Sequence, residues 1–306
     1  MTMSSGIGSR KRAMVVGFDG SDGARKALDW AVAEAKVHAQ QLVIVYSVGP
    51  HVATTAYGWH PAVEFGDARL TDEARAAVEP VVAEINRTTP ELDVTTRFPQ
   101  SEPAQAMMEV SAELGAESMV VGSSGLSAIP RVILGSTAAD LVRMADRPII
   151  VVRGHTDDRH TASNVLVGID GTATSGQILA YAFRYAAAHS IRLLAIHGLP
   201  GQLLDPMIPR MESSPDSAEQ AAAEVLGANL DEWRARFPDV SADLEIVETT
   251  PARALLERSS QAGLVVVGSR QRGALHRTFL GSVSHAMVYH ADCSVAVIPL
   301  SQMEDS

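Results

Sequence analysis

Residues 13–21 read AMVVGFDGS and residues 165–173 read VLVGIDGTA. Each is a short apolar run that breaks at Gly-x-Asp-Gly, as a buried strand does when it leaves a sheet. The likeness extends outward in order. QLVIVYSV (41–48) returns as RLLAIHGL (192–199), and EPAQAMMEVSAELGAESMVVGS (102–123) returns as TPARALLERSSQAGLVVVGS (250–269). DRPIIVVR (146–153) returns as DCSVAVIPL (292–300). The chain is therefore read as a duplicated domain. We place a tail at residues 1–10, domain one at 11–154, a polar linker at 155–162 and domain two at 163–301.

Within each half, apolar runs alternate with amphipathic ones. MVVGF, LVIVYSV, SMVVG and PIIVV show no polar alternation, which suits parallel strands covered on both faces. Leu28, Ala31, Val32 and Ala35 share one helical face behind Ser21 or Asp22 as N-cap. Ile178, Leu179, Ala182, Phe183 and Ala186 repeat that stripe. Pro80 is expected to bend its helix or mark a late start. LDVTTRF and DLEIVET are the weakest strands. The fold class expected is α/β: two repeated doubly wound, Rossmann-like domains, each a five-stranded parallel sheet flanked by about four helices.

Bulk properties narrow the function. The 306 residues are 46% hydrophobic and 20% charged, with a formal net charge of -11. That balance suits a globular protein and argues against a general nucleic-acid surface, which should be basic. The single cysteine, Cys293, rules out an intrachain disulfide and suggests no cysteine-based metal site. Neither a signal-peptide core nor a run of about 18 apolar residues is evident, so the expectation is a cytoplasmic protein without a membrane span. The histidines show no metal-ligand spacing, and no metal site is expected.

Doubly wound sheets bind ligands at the carboxyl ends of their strands, where strand order reverses. That rim would carry Gly17, Asp19, Ser47 and Gly122, with Gly168, Asp170, Gly198 and Gly268 as their partners. Two longer stretches begin there: VVGSSGLSAIPRVILGST (120–137) and VVGSRQRGALHRTFLGSV (266–283). Each carries a Gly-rich turn and then a Gly-Ser that opens a helix. Helix N-termini offer unpaired N–H groups and about half a positive charge, a ready anion site. The bland alternative is a glycine-rich turn followed by an ordinary helix start. Asp19 and Asp170 could accept from ribose hydroxyls or could simply shape the next turn. No Gly-Lys-Ser/Thr occurs, and Gly-x-Gly-x-x-Gly does not follow the first strand of either half, so the usual phosphate motifs are missing.

The pattern Gly-x2-Gly-x9-Gly-Ser, with Asp closing strand one and five strands per unit, resembles the universal stress protein family in its tandem form. The resemblance covers residues 11–300. It implies an adenine-nucleotide pocket as in the ATP-binding branch, with ATP as cofactor, with or without Mg, and a role in the stress response. By position the first pocket would use Gly17, Asp19, Ser47, Val121, Gly122, Gly125, Gly135, Ser136 and Thr137. The second would use Gly168, Asp170, Gly198, Val267, Gly268, Gly281, Ser282 and Val283. Arg131 and Arg277, each nine residues past the first glycine of its frame, could reach a γ-phosphate or a partner domain. Gln271 replaces the second glycine of the second frame. The resemblance also implies domain pairing through the last strand, a homodimer and a regulatory protein partner. Three readings stay open: a nucleotide-binding regulator rather than a committed enzyme, a slow ATPase or nucleotide hydrolase, and an assembly module with vestigial pockets.

Overall fold

The computed structural model describes residues 12–49, 67–125, 134–153, 164–172, 174–199, 215–270 and 280–300. Its first half runs β1 (Ala13–Gly17), α1 (Asp22–Val37), β2 (Gln41–Val45), α2 (Asp67–Thr88), β3 (Val94–Arg97), α3 (Pro103–Leu114), β4 (Ser118–Gly122), α4 (Ser136–Met144) and β5 (Ile149–Val152). The second half repeats the order: β6 (Asn164–Gly168), α5 (Ser175–His189), β7 (Arg192–Gly198), α6 (Pro215–Arg236), β8 (Ala242–Val247), α7 (Pro251–Ser259), β9 (Leu264–Arg270), α8 (Ser282–His290) and β10 (Ser294–Leu300). The alternation expected from sequence is present in both halves, and α2 runs on through Pro80.

The strands form one ten-stranded sheet in the order β3-β2-β1-β4-β5-β10-β9-β6-β7-β8. Within each half every pairing is parallel. The halves meet where β5 and β10 pair antiparallel, Val151 opposite Val295 and Ile149 opposite Val297. The last strands thus join the two domains, as the resemblance implied. Strand order reverses between β1 and β4, and again between β6 and β9, which places a crevice at each of those gaps.

Apolar strands with both faces buried need a helical layer on each side. One core lies under α1, α2, α5 and α6 and takes Val16, Trp30, Ile44, Val167, Phe183 and Leu230. The other lies under α3, α4, α7 and α8 and takes Val15, Met107, Leu141, Leu255, Val265 and Met287. The residues of β1, β4, β6 and β9 alternate between these cores, so each strand is apolar on both sides. The two weak strands, β3 and β8, form the outer edges and are only partly buried through Val94–Arg97 and Glu245–Val247. No described helix is long and apolar enough to cross a membrane.

Candidate functional site

The first rim sits over the β1–β4 gap. β1 stops at Gly17, where the Sδ of Met107 on α3 would lie 2.7 Å from any Cβ. The chain then turns through Gly20 at a φ of 82°, a conformation that glycine adopts without a steric penalty. Asp19 Oδ1 accepts from the Ser21 amide at 3.0 Å, and Ser21 Oγ accepts from the Ala24 amide at 3.1 Å, capping α1. Such a cap is worth about 1 kcal/mol.

Opposite this turn, β4 ends at Gly122. A Cβ on Gly122 would lie 2.5 Å from the carbonyl of Gly23, and a Cβ on Gly23 would lie 1.9 Å from the Ser124 oxygen. The start of α1 and the turn after β4 therefore touch backbone to backbone. Sequence reasoning chose Gly122 but overlooked Gly23; its signal was a glycine inside a helix's first turn, where the repeat has Thr174 instead.

Three residues widely separated in sequence converge just beyond. A Cβ on Gly125 would sit 2.7 Å from Asp19 Oδ2, and one on Gly135 would sit 3.6 Å from the Gly125 amide nitrogen. The Gly135 amide donates to the Ser123 carbonyl at 2.9 Å. α4 opens at Ser136 behind Gly135, and no side chain caps it. Ser136 is exposed and Thr137 half-buried. Asp19, the glycine turn and an uncapped helix start thus share one spot. The Ser47 hydroxyl donates to the Ser101 carbonyl at 2.6 Å, tying the end of β2 to the loop after β3. Val121 is a core residue packed beneath α3 and α4.

The second rim, over the β6–β9 gap, keeps the glycine-and-aspartate start of the frame in a different arrangement. Asp170 Oδ1 accepts from the Thr172 amide at 3.1 Å, the Thr172 hydroxyl at 2.6 Å and the Ser175 hydroxyl at 3.0 Å. β9 does not turn at Gly268. It continues through Ser269 and Arg270, paired with Pro299 and Leu300. A Cβ on Gly268 would meet the Cδ1 atoms of Leu300 at 2.6 Å and Ile178 at 2.8 Å. The Ser284 hydroxyl donates to the Gly268 carbonyl at 2.6 Å. Gly168 mirrors Gly17, with Leu255 Cδ1 at 3.0 Å where Met107 stood. Gly198 mirrors Ser47 by a different device, close approach of its backbone to Thr249 and Pro251. α8 opens at Ser282 behind Gly281, also without a side-chain cap. Val267 lies in the core and Val283 packs against it. Arg131, Arg277, Gln271 and the stretches 50–66 and 200–214 lie outside the described residues.

Other candidates are quieter. Burial pushes the Cys293 thiol up to about 12, which leaves little nucleophilic thiolate at neutral pH. Among the described residues, no group of three or more His, Cys, Asp and Glu side chains is arranged to hold a metal ion.

Fold and rims together define a class: a tandem α/β protein with two doubly wound domains joined through their last strands, each with a glycine-and-aspartate rim. The universal stress protein family model matches residues 11–153 and again 161–299. A universal stress protein of Mycobacterium tuberculosis strain H37Rv is 36% identical over 300 residues, covering 94% of this chain and 97% of that one. Another, from Mycolicibacterium smegmatis, is 32% identical over 290 residues, covering 93% and 96%. Among solved structures, a universal stress protein from Archaeoglobus fulgidus superposes with a TM-score of 0.67 at 19% identity, covering 94% of this chain and 98% of that one. The chain belongs to the universal stress protein family, in its two-domain form.

Proposed function

We propose that the first rim binds an adenine nucleotide, ATP being the expected ligand, and that the bound nucleotide sets the protein's conformation and partner choice during stress. The observation that carries this reading is the convergence of Asp19, Gly125 and Gly135. An acid that can accept from ribose hydroxyls stands on one side of a glycine turn, and the uncapped amides of α4 stand on the other. The absence of side chains at Gly122, Gly125 and Gly135 lets the turn, Asp19 and the start of α4 draw together, and Ser136 and Thr137 add hydroxyl donors. Mg, where present, travels on the nucleotide's own phosphates. The second rim is the weaker site, because Asp170 already accepts from three local donors and apolar tips crowd Gly268. The audience for the signal is a second copy of the chain or a regulatory protein.

Calorimetry on nucleotide-stripped protein tests this. ATP should bind at one equivalent per chain and raise the thermal midpoint. No heat and no thermal shift with ATP, ADP or AMP would overturn it. An ATP-dependent change in molecular mass by light scattering would identify a second copy as the audience.

A further inference from the structure

Away from both rims, a carboxylate is buried where the two domains meet. Glu34, on α1, is 1% exposed. His189, the last residue of α5 in the other domain, brings its Nε2 to 3.0 Å from Glu34 Oε1 and 3.1 Å from Oε2. His38, the residue that caps the C-terminal end of α1, has its Nε2 3.6 Å from Oε2.

The duplication explains the meeting and its lopsidedness. Trp30, Glu34 and His38 on α1 align with Tyr181, Tyr185 and His189 on α5. Residues four apart share a helix face, so each helix presents one such stripe. The two histidines are repeat mates, yet both address one carboxylate, and Tyr185 stands where its mate would be. The groups around Glu34 are accounted for on both helices. From α1 comes His38. From α5 come His189, Tyr185 with its ring tilted against the His189 ring at 4.4 Å between centroids, and Tyr181, near which Arg184 also lies. Burial, and secondarily the charge of Glu34, push the Tyr181 phenol upward, which keeps it neutral. The cluster therefore sets one anion against two imidazoles, with the Arg184 guanidinium beside Tyr181 as a further cation.

We propose that Glu34 is an interdomain latch: its carboxylate, shared by His38 of its own helix and His189 of the other domain, fixes α1 against α5 and so sets the register of the two domains. Buried ion pairs serve such register-fixing roles better than they serve bulk stability, and breaking one from a single side leaves a costly unpaired charge. Being made once rather than twice, the contact makes an otherwise two-fold interface directional.

The latch has an acid limit. Burial alone would raise the Glu34 carboxyl, but the hydrogen bonds from His189 and then His38 outweigh it and hold the group below its ordinary range. A carboxyl depressed by folding contributes stability that is complete above its unfolded value of about 4.3 and is lost as pH falls through the folded value. Once Glu34 is protonated, the anion that His38 and His189 share is gone.

The test is a double-mutant cycle in the full chain with Glu34→Gln, His189→Gln and both together. His189→Gln is expected to lower the thermal midpoint at pH 7 by roughly 5–10 °C and to raise the pH of acid unfolding. The double variant should recover much of both losses. Additive losses, or an acid midpoint that His189→Gln leaves unmoved, would overturn the latch. Hydrogen exchange on the unmodified protein gives a second reading that needs no variant. As pH falls below about 4.3, amides at the ends of α1 and α5 should lose protection at least tenfold before those of β1 and β6. Simultaneous loss would also overturn it.

Discussion

The two rims share a glycine frame and differ in what the glycines touch. At the first, Gly122 ends its strand and the backbones of Gly23 and Ser124 crowd the turn. At the second, Gly268 stays inside a strand that runs two residues further, and side-chain tips from Leu300 and Ile178 occupy the space. The cause lies in the partner strands. β5 has four residues, while β10 has seven and carries β9 along with it. A motif can thus be copied by duplication while its surroundings alter what it touches. Asp19 ends beside Gly125, whereas Asp170 is drawn into a local web with Thr172 and Ser175.

The most severe break of this comparison is Gly23→Ala. The new Cβ would fall 1.9 Å from a carbonyl oxygen, and neither backbone can yield cheaply. Denaturant unfolding should show a loss of about 3 kcal/mol, the upper end for overpacking, along with lost ATP binding. Thr174→Ala at the matching place should cost under about 1 kcal/mol, since it removes only the hydroxyl contact to Thr172 at 2.8 Å.

Gly125→Ala should act on the ligand and spare the fold. Its Cβ would press on Asp19 Oδ2 at 2.7 Å, and a carboxylate tip can swing away. The thermal midpoint should hardly move, while calorimetry should show ATP affinity falling at least tenfold, about 1.4 kcal/mol.

The aspartates should then separate by kind of effect. Asp19→Asn should weaken ATP binding severalfold with little change in stability. Asp170→Asn should leave ATP affinity unchanged and cost about 1 kcal/mol of unfolding free energy, because its Oδ1 holds two hydroxyls and an amide. If the two substitutions behave alike, the rims are equivalent after all.

Much of this was legible in the sequence. The repeat, the run of strands and helices, the Ser21 cap and the helix starts at Ser136 and Ser282 follow from periodicity and cap chemistry, which are local. The joining of β5 to β10 came from the family resemblance. What stayed hidden is what depends on contacts distant in the chain. Gly23 matters because Ser124 lies against it. The Ser47 hydroxyl reaches the Ser101 carbonyl, 54 residues away in the chain. Val121 and Val267 fell on the rim by position, yet alternation turns both into the core. The sequence did not single out Glu34, whose contact with His189 of the other domain is visible only in the fold. A self-alignment at constant offset does pair His38 with His189, but nothing in it brings both to Glu34.

The smallest expected effect is the most discriminating. Gln271 is the one visible departure of the second frame, so a motif-based account predicts that Gln271→Gly restores a second nucleotide site. The geometry predicts otherwise. The preceding residue, Arg270, is still paired in β9 opposite Leu300. Asp170 keeps its three local donors whatever stands at 271, and the Gly268 carbonyl remains bound by Ser284. Restoring one glycine alters none of these contacts. Nucleotide extracted from the purified variant, or titrated by calorimetry, should therefore stay at one equivalent per chain. A rise to two would show that the glycine frame alone defines the pocket and that the extended strand and the Asp170 web are incidental to it.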